Sequence, residues 1–219
     1  MPSPARTIAL LGACLAVAVA LAGCADPWDE PHAAPTPVGA LAAGFVPTPT
    51  PSPAATVRPV AGSWNEVRPS AGYRVVLITG GHDASTTVLA DAVRGWADAE
   101  GVDLRVMNVE GDPITTIVAA MDAGPDLIVS VGDSLVDPLE VVSANHLERQ
   151  FLVIGAELAE PTGNVTAVDW SGASYRGTDN GRASAYDPST FTPQRADAAI
   201  RAGVAAVLNE LTGVVLWID

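Results

Sequence analysis

The sequence predicts an α/β protein: a single lobe with a mainly parallel sheet and helices on both faces. From Tyr73 onward, short runs rich in β-branched residues alternate with stretches of helical periodicity. The strand runs are apolar throughout, which is typical of strands buried on both faces. Strands that alternate with helices favour a parallel sheet, because each helix carries the chain back to start the next strand in the same direction.

The first strand–helix unit is the clearest. Residues 73–79 predict a buried strand, and Gly80-Gly81 end it. Ser85 is a candidate N-cap for a helix that runs to about Glu100, and Gly101 predicts its end. The apolar stripe of this helix consists of Val88, Leu89, Ala92, Val93 and Trp96.

The next elements repeat this pattern. Asp112-Pro113 predicts the start of a second helix, since proline is tolerated in a first turn. A third helix is expected from Ser134 to about Asn145. Further strands are expected over residues 102–109, 126–131, 150–154 and 164–168.

The N-terminus predicts a lipoprotein signal peptide over residues 1–23. Arg6 supplies a positive charge, and the uncharged run from Ile8 to Leu21 is too short to span a bilayer. Leu21-Ala22-Gly23-Cys24 resembles a bacterial lipobox, in which the cysteine is lipidated and becomes the first mature residue. We therefore expect a lipid anchor at Cys24, on the extracytoplasmic face of the cell membrane. The alternative is an ordinary signal peptide with a chance cysteine.

Residues 24–70 predict a tether between this anchor and the lobe at 71–219. Ten prolines fall between Ala25 and Ser70. Such a run favours extended polyproline II and disfavours helix and sheet interior. Trp28 and Trp64 have no explanation in a solvated tether.

Composition excludes several classes of function. The formal charge is −14 and all 11 basic residues are arginine, so we expect no nucleic-acid partner. Both cysteines lie within the first 24 residues, so thiolate chemistry and disulfides are not expected in the lobe. Three scattered histidines predict no metal site and no cofactor. No nucleophile elbow or Ser–His–Asp spacing is present, so we expect no enzyme.

The candidate ligand site lies at the carboxyl ends of the strands, where α/β folds bind ligands. The polar or small residues there belong to segments 79–85, 132–134, 155–157 and 169–171. The candidate ligand-binding residues among them are Thr79, Gly81, Asp83, Ser85, Gly132, Asp133, Asp169 and Trp170. Structural alternatives stay open for three features: a tight turn at Gly80-Gly81, a helix cap at Asp133 and a core position for Trp170.

Four segments together resemble the basic membrane protein (BMP) family: Ile78 to Ser85, Asp126 to Gly132 with Asp137 beyond it, Asn164 to Val168, and Ile200 to Ala206 followed by Thr212 to Val215. Members are lipid-anchored substrate-binding proteins of ABC transporters, with a type 1 periplasmic-binding-protein fold, typically for nucleosides. The resemblance covers about residues 73–170 and again 198–219. It implies a Rossmann-like first lobe, an ABC permease as partner, and a small polar ligand contacted by Asp83, Ser85, Gly132 and Asp137.

The sequence departs from the family pattern at the first motif and in length. Thr86 and Thr87 stand where the family has an aromatic residue and an asparagine, and Asp133 replaces a second aromatic. Base stacking on an aromatic contributes about 1–3 kcal/mol, so its loss weakens the nucleoside assignment. The remaining length suits one lobe, so the cleft between two lobes that the family uses is not expected.

An insertion, residues 171–193, is rich in small and polar residues and carries two tyrosines. Such a segment is commonly mobile surface. Because it follows the carboxyl end of a strand, it could instead fold over the carboxyl ends of the strands, called the rim here, and replace part of a second lobe.

The sequence thus predicts a membrane-anchored extracytoplasmic lipoprotein that binds a small polar, nucleoside-like ligand weakly or with a partner. One alternative is an envelope scaffold or sensory accessory lipoprotein that retains the fold and binds another protein. Another is a remnant of a two-lobed receptor.

Overall fold

The computed structural model describes residues 26–219, and its centre is a seven-stranded parallel sheet. Its strands are β2 (Thr56–Val57), β4 (Arg74–Thr79), β5 (Asp103–Asn108), β6 (Leu127–Val131), β7 (Phe151–Ile154), β8 (Val165–Asp169) and β9 (Val215–Trp217). They lie in the order β2-β9-β8-β7-β6-β4-β5, and every neighbouring pair is parallel. A separate antiparallel pair joins β1 (Pro37–Val38) to β3 (Arg68–Pro69).

Four helices cover the two faces of the sheet: α1 (Ala84–Glu100), α2 (Pro113–Asp122), α3 (Val136–Ser143) and α4 (Pro193–Leu208). α1 packs against α4, and α2 against α3. Val75 and Leu77 of β4 share one core with Leu89 and Ile200 from the first helix pair. Their strand neighbours are buried on the opposite face, because successive side chains alternate. The predicted fold class, a mainly parallel sheet between helices, is confirmed.

The start of α1 differs from the expectation that Ser85 caps it. Asp83 is the N-cap: its Oδ1 accepts the Thr86 amide at 3.0 Å, and its Oδ2 accepts the Thr86 hydroxyl at 2.6 Å. Ser85 lies inside the first turn, which frees its hydroxyl for a contact described below. The helix ends as predicted at Gly101, whose φ of 66° is a conformation that favours glycine.

The proline-rich segment is folded onto the lobe. Residues from Ala33 to Asp219 form one compact unit, and β2 adds to the sheet edge beside β9. Phe45 and Trp64 are buried, and they belong to the same core as α4. The prediction of an extended tether over 24–70 is therefore wrong for the part from Pro37 to Ser70. The apolar side chains between the prolines bury enough surface to hold the segment, which also explains Trp64.

The signal peptide predicted over 1–23 and the lipidation site Cys24 lie outside the described residues. Residues 26–32 fall in a separate unit, in which Asp26 caps the short 3-10 turn Pro27–Asp29. Within the span 26–219, none of the helices has the length and apolar character needed to cross a membrane.

Candidate functional site

The carboxyl ends of β4, β6 and β7 meet at one edge of the sheet, and the insertion folds over them. Between them lies a cavity of about 190 Å³, called the rim cavity here. Its walls come from the sheet rim and α1 on one side and from the insertion on the other. The lining residues are Asp83, Ser85, Thr86, Gly132, Asp133, Gly155, Ala173, Arg182, Tyr186 and Phe191.

Tyr186 forms an aromatic wall on the insertion side. Its hydroxyl lies 2.8 Å from the Ser85 hydroxyl in the first turn of α1. Its ring is 5.7 Å from the Phe191 ring, and the Arg182 guanidinium lies 4.5 Å from the Tyr186 ring centroid. A ring with a polar tip therefore faces the cavity, and a cation lies against that ring.

Asp133 and Arg182 form an ion pair across the cavity mouth. The Arg182 Nη2 atom donates to Asp133 Oδ2 at 2.9 Å, and both side chains are more than a third exposed. Asp133 therefore does not cap α3, whose cap position is Leu135 and has no side-chain hydrogen bond. Solvent-exposed pairs of this kind contribute up to about 1 kcal/mol, so a ligand could exchange for one partner at small cost.

Asp83 presents a carboxylate to the same cavity. Burial disfavours its charge, but the hydroxyl and amide of Thr86 donate to it and lower the pKa of Asp83 below its usual range. The group therefore stays charged at neutral pH.

Further contacts fasten the insertion to the lobe. Asp137 on α3 accepts the Thr178 amide at 2.9 Å and the Thr178 hydroxyl as well. Arg176 pairs with the buried carboxylate of Glu157. The alternative in which the insertion folds over the rim is confirmed, and Asp137 contacts the insertion rather than the rim cavity.

Asp169 and Trp170 are buried and do not line the rim cavity. Trp170 is 1% exposed, stacks edge-on against Phe191 at 5.2 Å and donates its Nε1–H to Thr190 Oγ1 at 3.1 Å. The core alternative thus describes Trp170. Trp170 thus packs behind Phe191, which lines the cavity, and holds the end of the insertion through Thr190.

The Asp169 carboxyl is completely buried. Its Oδ1 accepts the Trp170 amide at 2.8 Å, whereas Oδ2 lacks a well-formed hydrogen bond to any residue within 26–219. The Ser174 hydroxyl is near enough to favour the charged form, but it donates to the Trp170 carbonyl at 3.3 Å. Burial raises the pKa of Asp169 to about 7, and the negative charge of Glu157 adds to the rise.

Thr79 and Gly81 line a second cavity of about 220 Å³, which lies on the β5 side of the α1 N-terminus. Its other lining residues are His82, Thr86, Thr87, Ala90, Arg94 and Asn108. Thr86 lines both cavities. The structure thus divides the predicted site: Asp83, Ser85, Gly132 and Asp133 share the rim cavity, and Thr79 and Gly81 share the second cavity.

Arg182, Tyr186 and Phe191 line the rim cavity but were not predicted from the sequence. The only signal was the presence of two tyrosines in a segment otherwise made of small and polar residues. Their placement depends on how the insertion folds back, which no local pattern encodes. Within the part of the chain that the structure describes, no cluster of three or more His, Cys, Asp or Glu side chains could hold a metal ion.

Comparison with models of known protein families gives no match, and comparison with curated proteins gives none. Solved structures give weak similarities. An ABC transporter solute-binding protein from Aeropyrum pernix K1 is 24% identical over 45% of this chain and 29% of its own length, with a TM-score of 0.41. An ABC transporter solute-binding protein from Conexibacter woesei DSM 14684 is 20% identical over 46% of this chain and 36% of its own, with a TM-score of 0.38.

A candidate lipoprotein, in fragment form, from Peptoclostridium difficile 630 is 17% identical over 64% of this chain and 98% of its own, with a TM-score of 0.45. This chain spans about a third of the length of the two transporter proteins. Similarities with TM-scores this low do not indicate which ligand this chain binds. The parallel sheet and its helices are the evidence for the α/β fold class.

Proposed function

We propose that this protein is an extracytoplasmic solute-binding protein that holds a small polar ligand in the rim cavity and performs no chemistry on it. The observation that carries the proposal is the position of the insertion, which faces the strand ends across a partly open cavity. Ligand sites bury most of the ligand surface, and a lone sheet edge offers only one wall. Here the insertion supplies the opposite wall.

The lining favours a compact ligand with hydrogen-bonding groups and one flat or apolar face. Asp83, Ser85 and Asp133 offer polar contacts from the lobe, and Tyr186 and Phe191 offer aromatic surface. Typical ligand pockets measure roughly 300–1,000 Å³, so a cavity of about 190 Å³ favours a small solute. The Tyr186–Ser85 contact occupies part of the site, and a ligand with a hydroxyl or amide could take its place.

The proposal includes the membrane anchor and the transporter partner. Cys24 carries the lipid, and an ABC permease receives the ligand. The support for the anchor is the lipobox-like sequence Leu21-Ala22-Gly23-Cys24 after an uncharged apolar run. The support for the permease is the resemblance of the first motifs to the BMP family, whose usual aromatic at position 86 is absent here. Aromatic side chains reach the cavity from the insertion instead.

A thermal-shift screen with nucleosides, sugars and amino acids at millimolar concentration tests the binding role. We expect at least one class to raise the Tm of the wild type, and Tyr186→Ala to abolish the rise because it removes the insertion-side wall. Asn180→Ala is the control, since Asn180 lies in the same insertion, is exposed and does not line the cavity. An unchanged response of Tyr186→Ala would contradict the site.

The second candidate function is a scaffold or sensory accessory lipoprotein that binds another protein. It is favoured by one observation: the polar groups of the rim already bond within the chain, Ser85 with Tyr186 and Asp133 with Arg182. Such a surface is complete without a solute. Absence of any thermal shift across the panel, together with a neighbouring gene for a sensor kinase rather than an ABC permease, would favour this candidate.

A further inference from the structure

The lining of the second cavity contrasts with the acidic composition of the chain. The chain carries 25 acidic against 11 basic residues, yet no carboxylate lines this cavity. Its polar lining consists of one guanidinium, one imidazole, one amide and three hydroxyls, which belong to Arg94, His82, Asn108, Thr79, Thr86 and Thr87. In a protein with a formal charge of −14, a cavity with a cation and no anion favours an anionic occupant.

The spacing of residues along α1 places the Arg94 guanidinium beside the second cavity. Thr87, Ala90 and Arg94 follow the spacing i, i+3, i+7, so they share one face of α1. Helical side chains lean toward the N-terminus, which brings the Arg94 guanidinium back over the cavity. Its Nη1 donates to Asp91 Oδ1 at 2.9 Å, but both side chains are largely exposed, and such pairs exchange at small cost.

Asn108 is held in one orientation at the opposite side. Its Oδ1 accepts the Thr79 hydroxyl at 2.7 Å, and Thr79 is itself buried. The Asn108 Nδ2 group is therefore the part of the amide that can donate into the cavity. The amide held in this orientation and the Arg94 guanidinium are both suited to a carboxylate or phosphate oxygen.

Thr86 lines both cavities, and its hydroxyl donates to Asp83 Oδ2 at 2.6 Å. A Cβ at Gly132 would lie 3.0 Å from Thr86 Oγ1, and a Cβ at Gly81 would lie 3.1 Å from Asp83 Oδ2. The two glycines therefore keep the space beside these side chains clear. One solute could lie across Thr86 and reach both cavities.

We propose that the second cavity is an anion subsite of the same ligand site, and that the solute in the rim cavity carries a carboxylate or phosphate group that Arg94, Asn108 and His82 bind. This inference rests on the proposed function, because it assigns the chemical class of the solute that the rim cavity holds. The neutral part lies against Tyr186, and the anionic group lies beyond Thr86.

Isothermal titration with matched neutral and anionic compounds tests the subsite. The pairs are a nucleoside with its 5′-monophosphate, a hexose with its 6-phosphate, and an N-acetyl amino acid amide with its N-acetyl amino acid. We expect the anionic member of at least one pair to bind roughly tenfold tighter or more, as a charge-assisted hydrogen bond allows. The preference should fall as salt rises from 0.05 to 0.5 M. Which pair responds distinguishes carboxylate from phosphate.

Arg94→Gln should bring the two members of that pair to within a factor of about three of each other. Arg68→Gln is the control, because Arg68 is exposed and lines neither cavity. Equal wild-type affinity for both members of every pair would overturn the anion subsite and leave the proposed function standing. Failure of all six compounds to bind would overturn both.

Discussion

Asp169 shows how a single buried carboxyl can set the pH response of this fold. The residue has no exposed surface, and burial raises its pKa to about 7. The folded state thus binds this proton more tightly than the unfolded chain, in which the pKa is near 4. The contribution of Asp169 to stability therefore falls as the pH rises from about 4 to 7 and stays low above that.

Asp169→Asn should remove this loss, because an amide keeps the acceptor for the Trp170 N–H and carries no charge. We expect the variant to be more stable than the wild type at pH 8, by up to about 4 kcal/mol, and to differ from it by no more than about 1 kcal/mol near pH 4.5. Urea unfolding at the two pH values measures the difference. Asp98→Asn, at an exposed position, is the control for replacing an aspartate by asparagine. A variant that is less stable at both pH values would contradict the assigned cost of the charge.

At the scale of the elements, two glycines within helices allow the effect of side-chain packing on stability to be measured apart from the effect of helix propensity. A Cβ at Gly203 of α4 would lie 2.6 Å from Leu152 Cδ1 of β7, whereas a Cβ at Gly95 of α1 meets nothing within 4 Å. Alanine is favoured over glycine in a helix by about 1 kcal/mol. We expect Gly95→Ala to raise stability by up to that amount.

Gly203→Ala should lower stability by about 1–3 kcal/mol, because overpacking at the helix–sheet contact outweighs the gain in propensity. Thermal unfolding of both variants measures the two effects on the same scale. Equal stabilisation by both substitutions would mean that α4 lies farther from β7 than the structure has it.

The proline-rich segment gives a second prediction at this scale. Phe45 is completely buried beside Trp64, with ring centroids 6.2 Å apart, and the adjacent Val46 is half exposed. We expect Phe45→Ala to destabilise the lobe by about 3 kcal/mol or more and Val46→Ala by less than about 0.5. Denaturant unfolding compares them. If both substitutions had equal and negligible effects on stability, the result would support the solvated tether that the sequence predicts.

The elements show why some features were predictable and others were not. β4, β6 and α1 follow from local patterns: unbroken apolar runs, a helical stripe, and Gly101 as a stop. The fold of the proline-rich segment depends on where Phe45 and Trp64 find partners, and those partners are distant in sequence. The high density of prolines correctly excluded a helix in this segment. It does not indicate whether the apolar side chains between the prolines are buried.

The candidate site divides in the same way. Asp83, Ser85, Gly132 and Asp133 were predictable because strand ends of a parallel sheet converge. The insertion side of the cavity was not, because the contacts of Arg182 and Tyr186 join positions about 50 and 100 residues apart. Trp170 was ambiguous in sequence because a strand-end aromatic suits a core and a ligand site equally.

At the scale of the whole molecule, the proposed anchor at Cys24 makes a localisation prediction. We expect the protein in its native host to partition with the membrane fraction and to label with a radioactive or alkyne-bearing fatty acid. Cys24→Ser should abolish labelling and release the protein from the membrane, since no covalent lipid can then form. Cys14→Ser is the matched control, because Cys14 lies within the predicted signal peptide. Unchanged labelling of Cys24→Ser would contradict the anchor.

The central claim is that a small solute binds between the strand rim and the insertion. Two-dimensional amide NMR of the isotopically labelled protein, titrated with each compound of the thermal-shift panel, tests it most directly because it reports both binding and place. The account predicts saturable shifts at Asp83 to Thr86, Gly132-Asp133 and Arg182 to Phe191, with α2 and α3 unaffected. Saturable shifts confined to the α2–α3 face, or none with any compound, would contradict it.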